Sequence, residues 1–314
     1  AVASVVPDAP GCGALHLAST VDVLYWTDQG HGTVKSLTRT CVQTTIASHE
    51  VNPGLIIAAG PYLYWVNSTV AGAMTTSTIR MVYASGGTPS DVVTEVNATG
   101  GIRGLAAVPR GTQIFYSAGT NVRAIGIAPS GPAFDVAHEE LGGVPTALAI
   151  SGDMIAFSTD INGDVDVVTV VAGTVASCGK RDPNDPSGEA LLMVNCTRVA
   201  RSQGELYFGN LVLRNGTVYW SNSGSIVSNP VTPNVAQNNQ QITSSSGGGA
   251  LTTFIGENST DFYFAEDGLI EKTPPIVGST AVNLARGQAA PSSMALTSGG
   301  LYWSTGCAIN RTAP

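Results

Sequence analysis

Leu24-Tyr25-Trp26-Thr27-Asp28, followed by Gln29-Gly30-His31-Gly32 and then Thr33-Val34, is an apolar strand carrying two adjacent aromatics, a polar turn and the start of a second strand. The arrangement recurs at Leu63-Tyr64-Trp65, Ile114-Phe115-Tyr116, Val218-Tyr219-Trp220, Phe262-Tyr263-Phe264 and Leu301-Tyr302-Trp303, and with a single aromatic at Ile155-Ala156-Phe157. Between the middle residues of successive copies the steps are 39, 51, 41, 63, 44 and 39. A unit of about forty residues, rich in strand and turn signals and without a sustained 3.6-residue apolar stripe, predicts an all-β, seven-bladed β-propeller. Six or eight blades are the alternatives.

Each unit reads as four strands, lettered A to D outward. In unit 1 these are Ala14 to Ala18, Val23 to Thr27, Thr33 to Leu37 and Cys41 to Ala47. The other A strands are predicted at Leu55-Ile56-Ile57-Ala58, Leu105-Ala106-Ala107-Val108, Ala147-Leu148-Ala149-Ile150, Leu206-Tyr207-Phe208, Thr253-Phe254-Ile255 and Met294-Ala295-Leu296. Short runs apolar on both faces suit strands buried between blades. The units span about 14–48, 54–97, 102–138, 145–200, 205–243, 250–284 and 293–311. The last is one strand short, and Val2 to Val6 belongs to no unit. Placed as the outer strand of blade 7, residues 1–6 close the ring and make 1–314 a single propeller domain. Gly179 to Glu189 reads as an insertion between strands C and D of unit 4. Asn234 to Gly249 reads as a polar, mobile loop of unit 5.

Charged residues make up 11% of the chain and net charge is −8. No Lys/Arg cluster exists beyond Lys180-Arg181, so a phosphate backbone finds no basic face and nucleic acid is excluded as a partner. No apolar stretch reaches the ~18 residues of a membrane span. The uncharged polar surface suits an extracellular or tightly assembled protein. Ala1 reads as a residue left after signal cleavage, which predicts a secreted or cell-surface location. Few charges oppose association, so self-assembly is a further expectation.

At Tyr25-Trp26-Thr27-Asp28 the chain resembles the YWTD-type propeller repeat, with weaker copies at Tyr64-Trp65-Val66-Asn67, Tyr219-Trp220-Ser221-Asn222 and Tyr302-Trp303-Ser304-Thr305. It also resembles the tandem Tyr-Trp-Thr-Asn repeats of secreted bacterial propellers, whose Gly-x-Val or Gly-x-Ile turn appears here as Gly32-Thr33-Val34 and Gly224-Ser225-Ile226. The pattern departs at Phe115-Tyr116-Ser117-Ala118, Ala156-Phe157-Ser158-Thr159 and Tyr263-Phe264-Ala265-Glu266. The resemblance implies a propeller used for extracellular protein or glycan contacts; it implies no reaction and carries over no catalytic residue.

Five cysteines occur without a Cys-x-x-Cys pair, so neither a zinc nor a redox motif is indicated. Cys178 and Cys196 flank the unit 4 insertion and are predicted to staple it. Strands alternate in direction, which puts Cys12 and Cys307 on one face in adjacent blades; a Cys12–Cys307 bond would lock the seam, with Cys12–Cys41 as the alternative. Asp160, Asn162, Asp164 and Asp166 present four side-chain oxygens at alternate positions, which suits a hard cation such as Ca²⁺. The competing reading is an Asn-Gly hairpin with solvated acids. Asp182 to Glu189 has similar oxygen density but two prolines, which favour a plain loop. His16, His31, His49 and His138 are scattered over three units, and His49-Glu50 and His138-Glu139-Glu140 lack the second His of a zincin helix. Six Asn-x-Ser/Thr sequons occur, at Asn67, Asn97, Asn195, Asn215, Asn258 and Asn310. No Gly-x-Ser-x-Gly elbow and no phosphate loop are present. The expected function is therefore a secreted or cell-surface, non-catalytic binding or scaffold propeller making protein or glycan contacts. The alternatives are a lectin using the repeated aromatics and a metal-dependent hydrolase or lyase.

Overall fold

Neighbouring residues on a strand point to opposite faces of the sheet. An aromatic doublet therefore sends one ring to each side, and the fold is assembled on that property. The computed structural model describes residues 2–7, 11, 13, 15–98, 100–108, 112–127, 131–160, 163–181, 183–184, 191–200, 211–222, 225–232, 239–244, 251–255, 260–266, 268–289 and 291–313. In it Tyr25 packs forward with Ile56, Leu63 and Trp65 of the next unit. Trp26 packs backward with Ala295, Tyr302 and Ile309 of the last unit. Tyr64 and Trp65, Phe115 and Tyr116, Tyr219 and Trp220, Tyr263 and Phe264, and Tyr302 and Trp303 divide in the same way. The result is seven apolar clusters, one at each contact between consecutive sheets, and the seventh joins the end of the chain to its beginning.

The strands are β1 (Ala3–Val6), then β2 (Leu15–Ser19), β3 (Val23–Asp28), β4 (Thr33–Thr38) and β5 (Gln43–Ser48) in blade 1. Blade 2 holds β6 (Pro53–Ala59), β7 (Tyr62–Ala71), β8 (Met74–Tyr83) and β9 (Ser90–Asn97). Blade 3 begins with β10 (Leu105–Ala107), β11 (Gln113–Ala118), β12 (Asn121–Gly126) and β13 (Phe134–Glu139). Blade 4 has β14 (Pro145–Ser151), β15 (Met154–Thr159) and β16 (Val165–Thr169); the chain then makes β17 (Ala176–Arg181) and β18 (Leu191–Val194) before returning as β19 (Cys196–Ala200). Blade 5 is β20 (Leu211–Arg214), β21 (Thr217–Asn222), β22 (Ser225–Pro230) and β23 (Gln240–Ser244). Blade 6 is β24 (Leu251–Ile255), β25 (Phe262–Glu266), β26 (Leu269–Thr273) and β27 (Val282–Ala285). Blade 7 is β28 (Pro291–Thr297), β29 (Gly300–Thr305) and β30 (Ala308–Thr312), completed by β1, which pairs antiparallel with β30. The seam is reinforced by the Leu17 N–H donating to Ser293 Oγ at 2.9 Å and Ser19 Oγ donating to the Leu296 carbonyl at 2.8 Å. Among the described residues no helix is long and apolar enough to cross a membrane.

Three expectations need correction. The innermost strand of blade 5 is β20, not Leu206 to Phe208, which lie outside the described residues. β20 turns directly into β21 through Asn215 and Gly216, both at positive φ (50° and 69°), the signature of a tight Asn-Gly hairpin. The unit 4 insertion lies between strands C and D as expected, with residues 182 and 185–189 outside the described residues, but its flanks join the neighbouring sheet of blade 3. Its first part is β17, which pairs parallel with β13, and β18 follows, so blade 3 becomes a six-stranded sheet. The polar stretch of unit 5 contains β23, whose Ile242 and Thr243 are buried while Gln240 and Gln241 are exposed. An outer strand is covered on one edge only and tolerates glutamine. Residues 234–238 and 245–249 of that stretch lie outside the described residues.

Indole N–H groups at the blade contacts need acceptors. Trp65 Nε1 donates to Glu50 at 3.0 Å and Trp303 Nε1 to Gln288 at 3.1 Å. Each acceptor sits fifteen residues before its tryptophan and is fixed by its own backbone: the Glu50 N–H donates to the Gly32 carbonyl and the Gln288 N–H to the Gly268 carbonyl, both at 2.9 Å. A side chain on Gly32 would meet the Glu50 carbonyl oxygen at 2.4 Å, which is why the turn after the doublet requires glycine there. Removal of residues 1–6 strips the outer strand from blade 7. Its thermal midpoint is expected to fall by roughly 5 °C or more, since ~1 kcal/mol moves a chain of this size by only a few degrees; a calorimetric midpoint equal to that of the intact chain contradicts closure by β1.

Candidate functional sites: the blade 3–4 junction and the axial channel

Strand D carries one extra residue at the same place in six blades, opposite the strand C steps Val34–Lys35, Ile79–Arg80, Val122–Arg123, Val165–Asp166, Ile226–Val227 and Ile270–Glu271. The second strand C residue of each step pairs with the strand D residue just before the bulge. In blades 2 and 3 it is an arginine opposite an aspartate: Arg80 Nη1 lies 2.8 Å from Asp91 and Arg123 Nε 2.9 Å from Asp135. In blade 4 the charges are exchanged, with Asp166 on β16 opposite Arg198 on β19. Arg198 grips Asp166 with two parallel hydrogen bonds of 2.9 Å, and its Nη1 lies 2.8 Å from Asp164.

That exchange gives two acids of the turn a partner. Asp164 and Asp166 converge on one guanidinium, so the cation they face is an arginine. Asp160 points elsewhere, accepting from Arg103 at 2.7 Å and from the Val144 N–H at 2.8 Å. Asn162 lies outside the described residues. Among the described residues, the close group of metal-ligating side chains is Asp166 with Cys178 and Cys196, and those two sulfurs are bonded to each other.

The Cys178–Cys196 disulfide, with Cα atoms 5.5 Å apart, does more than staple a loop. Cys178 lies on β17, in the sheet of blade 3, and Cys196 on β19, the outer strand of blade 4, so the bond ties two blades at their rim. Cys307 is disulfide-bonded. Cys12 lies outside the described residues, and with it the expected Cys12–Cys307 pair. Cys41 is a free, exposed thiol, so the Cys12–Cys41 alternative does not form.

Glu139, noted in the sequence only within the His138-Glu139-Glu140 run, is a strongly perturbed acid of this junction. Its backbone N–H donates to the Thr120 carbonyl at 3.0 Å, as that of Glu50 does to Gly32. The next doublet, however, ends in Phe157, which has no N–H to donate. Glu139 instead accepts from the Leu141 N–H at 3.1 Å, and its Oε2 has no hydrogen-bond partner, with Arg198 3.6 Å away. Burial, and then the neighbouring charge of Asp166, push its carboxyl up to about 7. For Arg198, burial works against the charged form, but the hydrogen bonds and charge of Asp166, with Asp164 and Glu139, outweigh it and raise its pKa. Asp28, the last residue of the first motif, goes the other way: burial is overcome by hydrogen bonds from His31 and Lys35, which hold it low. His16 is mostly enclosed, and burial lowers its pKa. His138 is bonded to Asn121. Asn195 and Asn215 are exposed sequon positions, whereas Asn67 donates to Glu50 at 2.7 Å.

The four tryptophans are at most 1% exposed. The doublets are core, and a sugar site repeated on them does not form. The A strands bound an axial channel, a cavity of about 1020 Å³. Its described lining is aliphatic, with hydroxyls and one charged residue, Arg214; no histidine or carboxylate is among them. The metal chemistry considered for a channel site would need such groups there.

Arg198→Met would leave buried carboxylates without their cation. A loss of about 3–5 kcal/mol is expected in urea unfolding, and a loss under 1 kcal/mol would contradict the assigned pairing. For Glu139 the folded-state pKa is raised from 4.5 to about 7, so the native state binds the extra proton between those values. Stability contributed by that proton is present below pH 4.5 and is lost as pH rises through 7. Glu139→Gln should therefore gain stability over the parent from pH 5 to pH 8, read as the difference in thermal midpoint; a difference independent of pH refutes the assignment.

The chain matches no known protein-family profile and no curated protein. Among solved structures it is similar to a streptogramin B lyase (TM-score 0.71, 12% identity, 99% of this chain and 96% of that one). It is similar to a catalytically inactive virginiamycin B lyase from Staphylococcus aureus with quinupristin (TM-score 0.69, 12% identity, 99% and 98% covered). YCF48 from Cyanidioschyzon merolae is matched as well (TM-score 0.70, 9% identity, 100% and 99% covered). At these identities the likeness is one of fold: the chain is a seven-bladed β-propeller.

Proposed function

We propose that this protein is a secreted or cell-surface propeller that binds another extracellular protein and scaffolds an assembly, without catalysing a reaction. The observation that carries this reading is the central hairpin of blade 2. Its strands β7 and β8 run ten residues each, against five or six for the corresponding strands elsewhere. The added length carries residues 69–74, none of them charged and all of them exposed, to the tip of this longer hairpin. Val70 is 74% exposed and Met74 42%. Exposed apolar side chains on a projecting, uncharged element mark a contact surface. The Cys178–Cys196 bond supports an oxidising location.

The test is capture of extracellular proteins on immobilised chain, beside a glycan array. Saturable retention of a protein partner is expected, roughly tenfold weaker for Val70→Asp/Met74→Asp with an unchanged unfolding midpoint, since 1.4 kcal/mol is a factor of ten. Equal retention by both forms removes the hairpin from the contact, and binding confined to the array replaces the protein partner with a glycan.

A further inference from the structure

Most of the described tyrosines belong to the blade contacts. Tyr25, Tyr64, Tyr116, Tyr263 and Tyr302 are at most 4% exposed, and Tyr219 packs edge-on against Phe262 with ring centroids 4.7 Å apart. Tyr62 and Tyr83 are placed differently. They are direct partners across β7 and β8, at the open end of the hairpin and away from its tip. Tyr83 is 53% exposed and Tyr62 partly so. The backbone holds both in place: the Ala84 N–H donates to the Pro61 carbonyl and the Gly86 N–H to the Tyr83 carbonyl, each at 2.8 Å.

The two rings meet at their hydroxyl ends. Their centroids lie 4.6 Å apart with planes inclined at 34°, while the Tyr62 hydroxyl donates to the Tyr83 oxygen at 3.2 Å. The oxygens are therefore closer than the ring centres. The carbons ortho to a phenol oxygen are those on which a phenoxyl radical carries unpaired spin, and here they flank the converging ends. A ligand stacked on this pair would need open ring faces, and each ring already covers a face of the other. A bond between the rings needs their hydroxyl ends together, which the hairpin supplies. Groups held in this way react without the cost of an encounter.

We propose that Tyr62 and Tyr83 form a modification site at which a one-electron oxidant of the peroxidase class joins their rings, closing the β7–β8 hairpin into a covalent ring. Each phenol gives up one electron to the oxidant and one proton to water. The two radicals pair to form a bond between ortho carbons, and the hydrogens on those carbons return to the oxygens as the rings regain aromaticity. Hydrogen peroxide takes the two electrons and two protons and leaves as two waters. The site is distinct from the exposed tip at Val70 and Met74, and each can fail without the other.

The test is treatment of the intact chain with a haem peroxidase and equimolar hydrogen peroxide. A monomer lighter by two hydrogen atoms, with the blue fluorescence of a biphenol, is expected. Cleavage after Arg80 puts Tyr62 and Tyr83 on different peptides, and the product should join those peptides through these two residues. Its yield should be unchanged by roughly tenfold dilution of the protein, as for any intramolecular step. Tyr62→Phe and Tyr83→Phe retain the rings and should each abolish the product, with the unfolding midpoint measured alongside. Interchain dimers alone, with a yield that falls on dilution, overturn the proposal. So does a link that maps to Tyr64 in place of Tyr62, or an unchanged mass under conditions that couple free tyrosine.

Discussion

A ring of seven sheets has seven faces to bury, and each must be filled from both sides by residues of strands that have only two sides to offer. The aromatic doublet meets that constraint with two letters of sequence. Tyr64 closes the contact with blade 3 and Trp65 the contact with blade 1. An indole buried this way brings an N–H into a dry interface, where an unpaired donor is expensive. The acceptors are Glu50 and Gln288, each borrowed from the end of the preceding blade and held by a glycine turn. The glycine, the acceptor and the tryptophan are thus one device spread over three segments of chain.

At the junction of blades 3 and 4 one part of that device is missing. Phe157 fills the space of the tryptophan without its donor, so Glu139 arrives at the interface with an oxygen that accepts from nothing. Beside it the cross-strand pair is inverted, with Asp166 where blades 2 and 3 have arginine. Two carboxylates that would have faced arginine now face each other, and Arg198 must serve both. The extra hairpin β17–β18 and the disulfide are built over this same spot. Their covalent and backbone constraints hold together a contact whose charges favour separation.

The sequence announced the ring because an aromatic doublet survives in six copies and a single aromatic, Phe157, in the seventh, and because Val2 to Val6 had no other strand to pair with. It misled where a local pattern had two physical readings. Leu206-Tyr207-Phe208 and Leu211-Val212-Leu213 are both short apolar runs; the Asn215-Gly216 turn, which leaves no room for another strand before Val218, distinguishes them. Asp160 to Asp166 has the local spacing of a cation loop, but the partner that claims Asp166 is 32 residues further on. Cross-strand register, including a bulge that leaves no mark in residue type, sets that pairing. The parallel docking of β17 on β13 was illegible for the same reason: an edge strand recruits by backbone, and backbone has no letter.

The low charge of the chain reflects how its irregular backbone is satisfied. Several inner strands start with a bulge, between Pro53 and Ile56, Pro145 and Ala147, Leu251 and Thr253, and Pro291 and Ser293. Each bulge releases backbone groups from the ladder close to the core. At the blade 2 bulge the residue after the first doublet supplies the missing partner, Thr27 donating to the Gly54 carbonyl at 2.7 Å; at the starts of two inner strands without a bulge the same position serves again, Ser304 donating to the Leu15 carbonyl at 3.3 Å and Ser117 accepting the Arg103 and Gly104 N–H groups at 2.9 Å. A hydroxyl both donates and accepts and is cheaper to bury than an ion. Thr27, Ser117, Ser158 and Ser304 are wholly enclosed, so serine and threonine do inside this ring what charged side chains are seldom able to do. The polar composition that reads from the sequence as surface is in part the interior of the blade contacts.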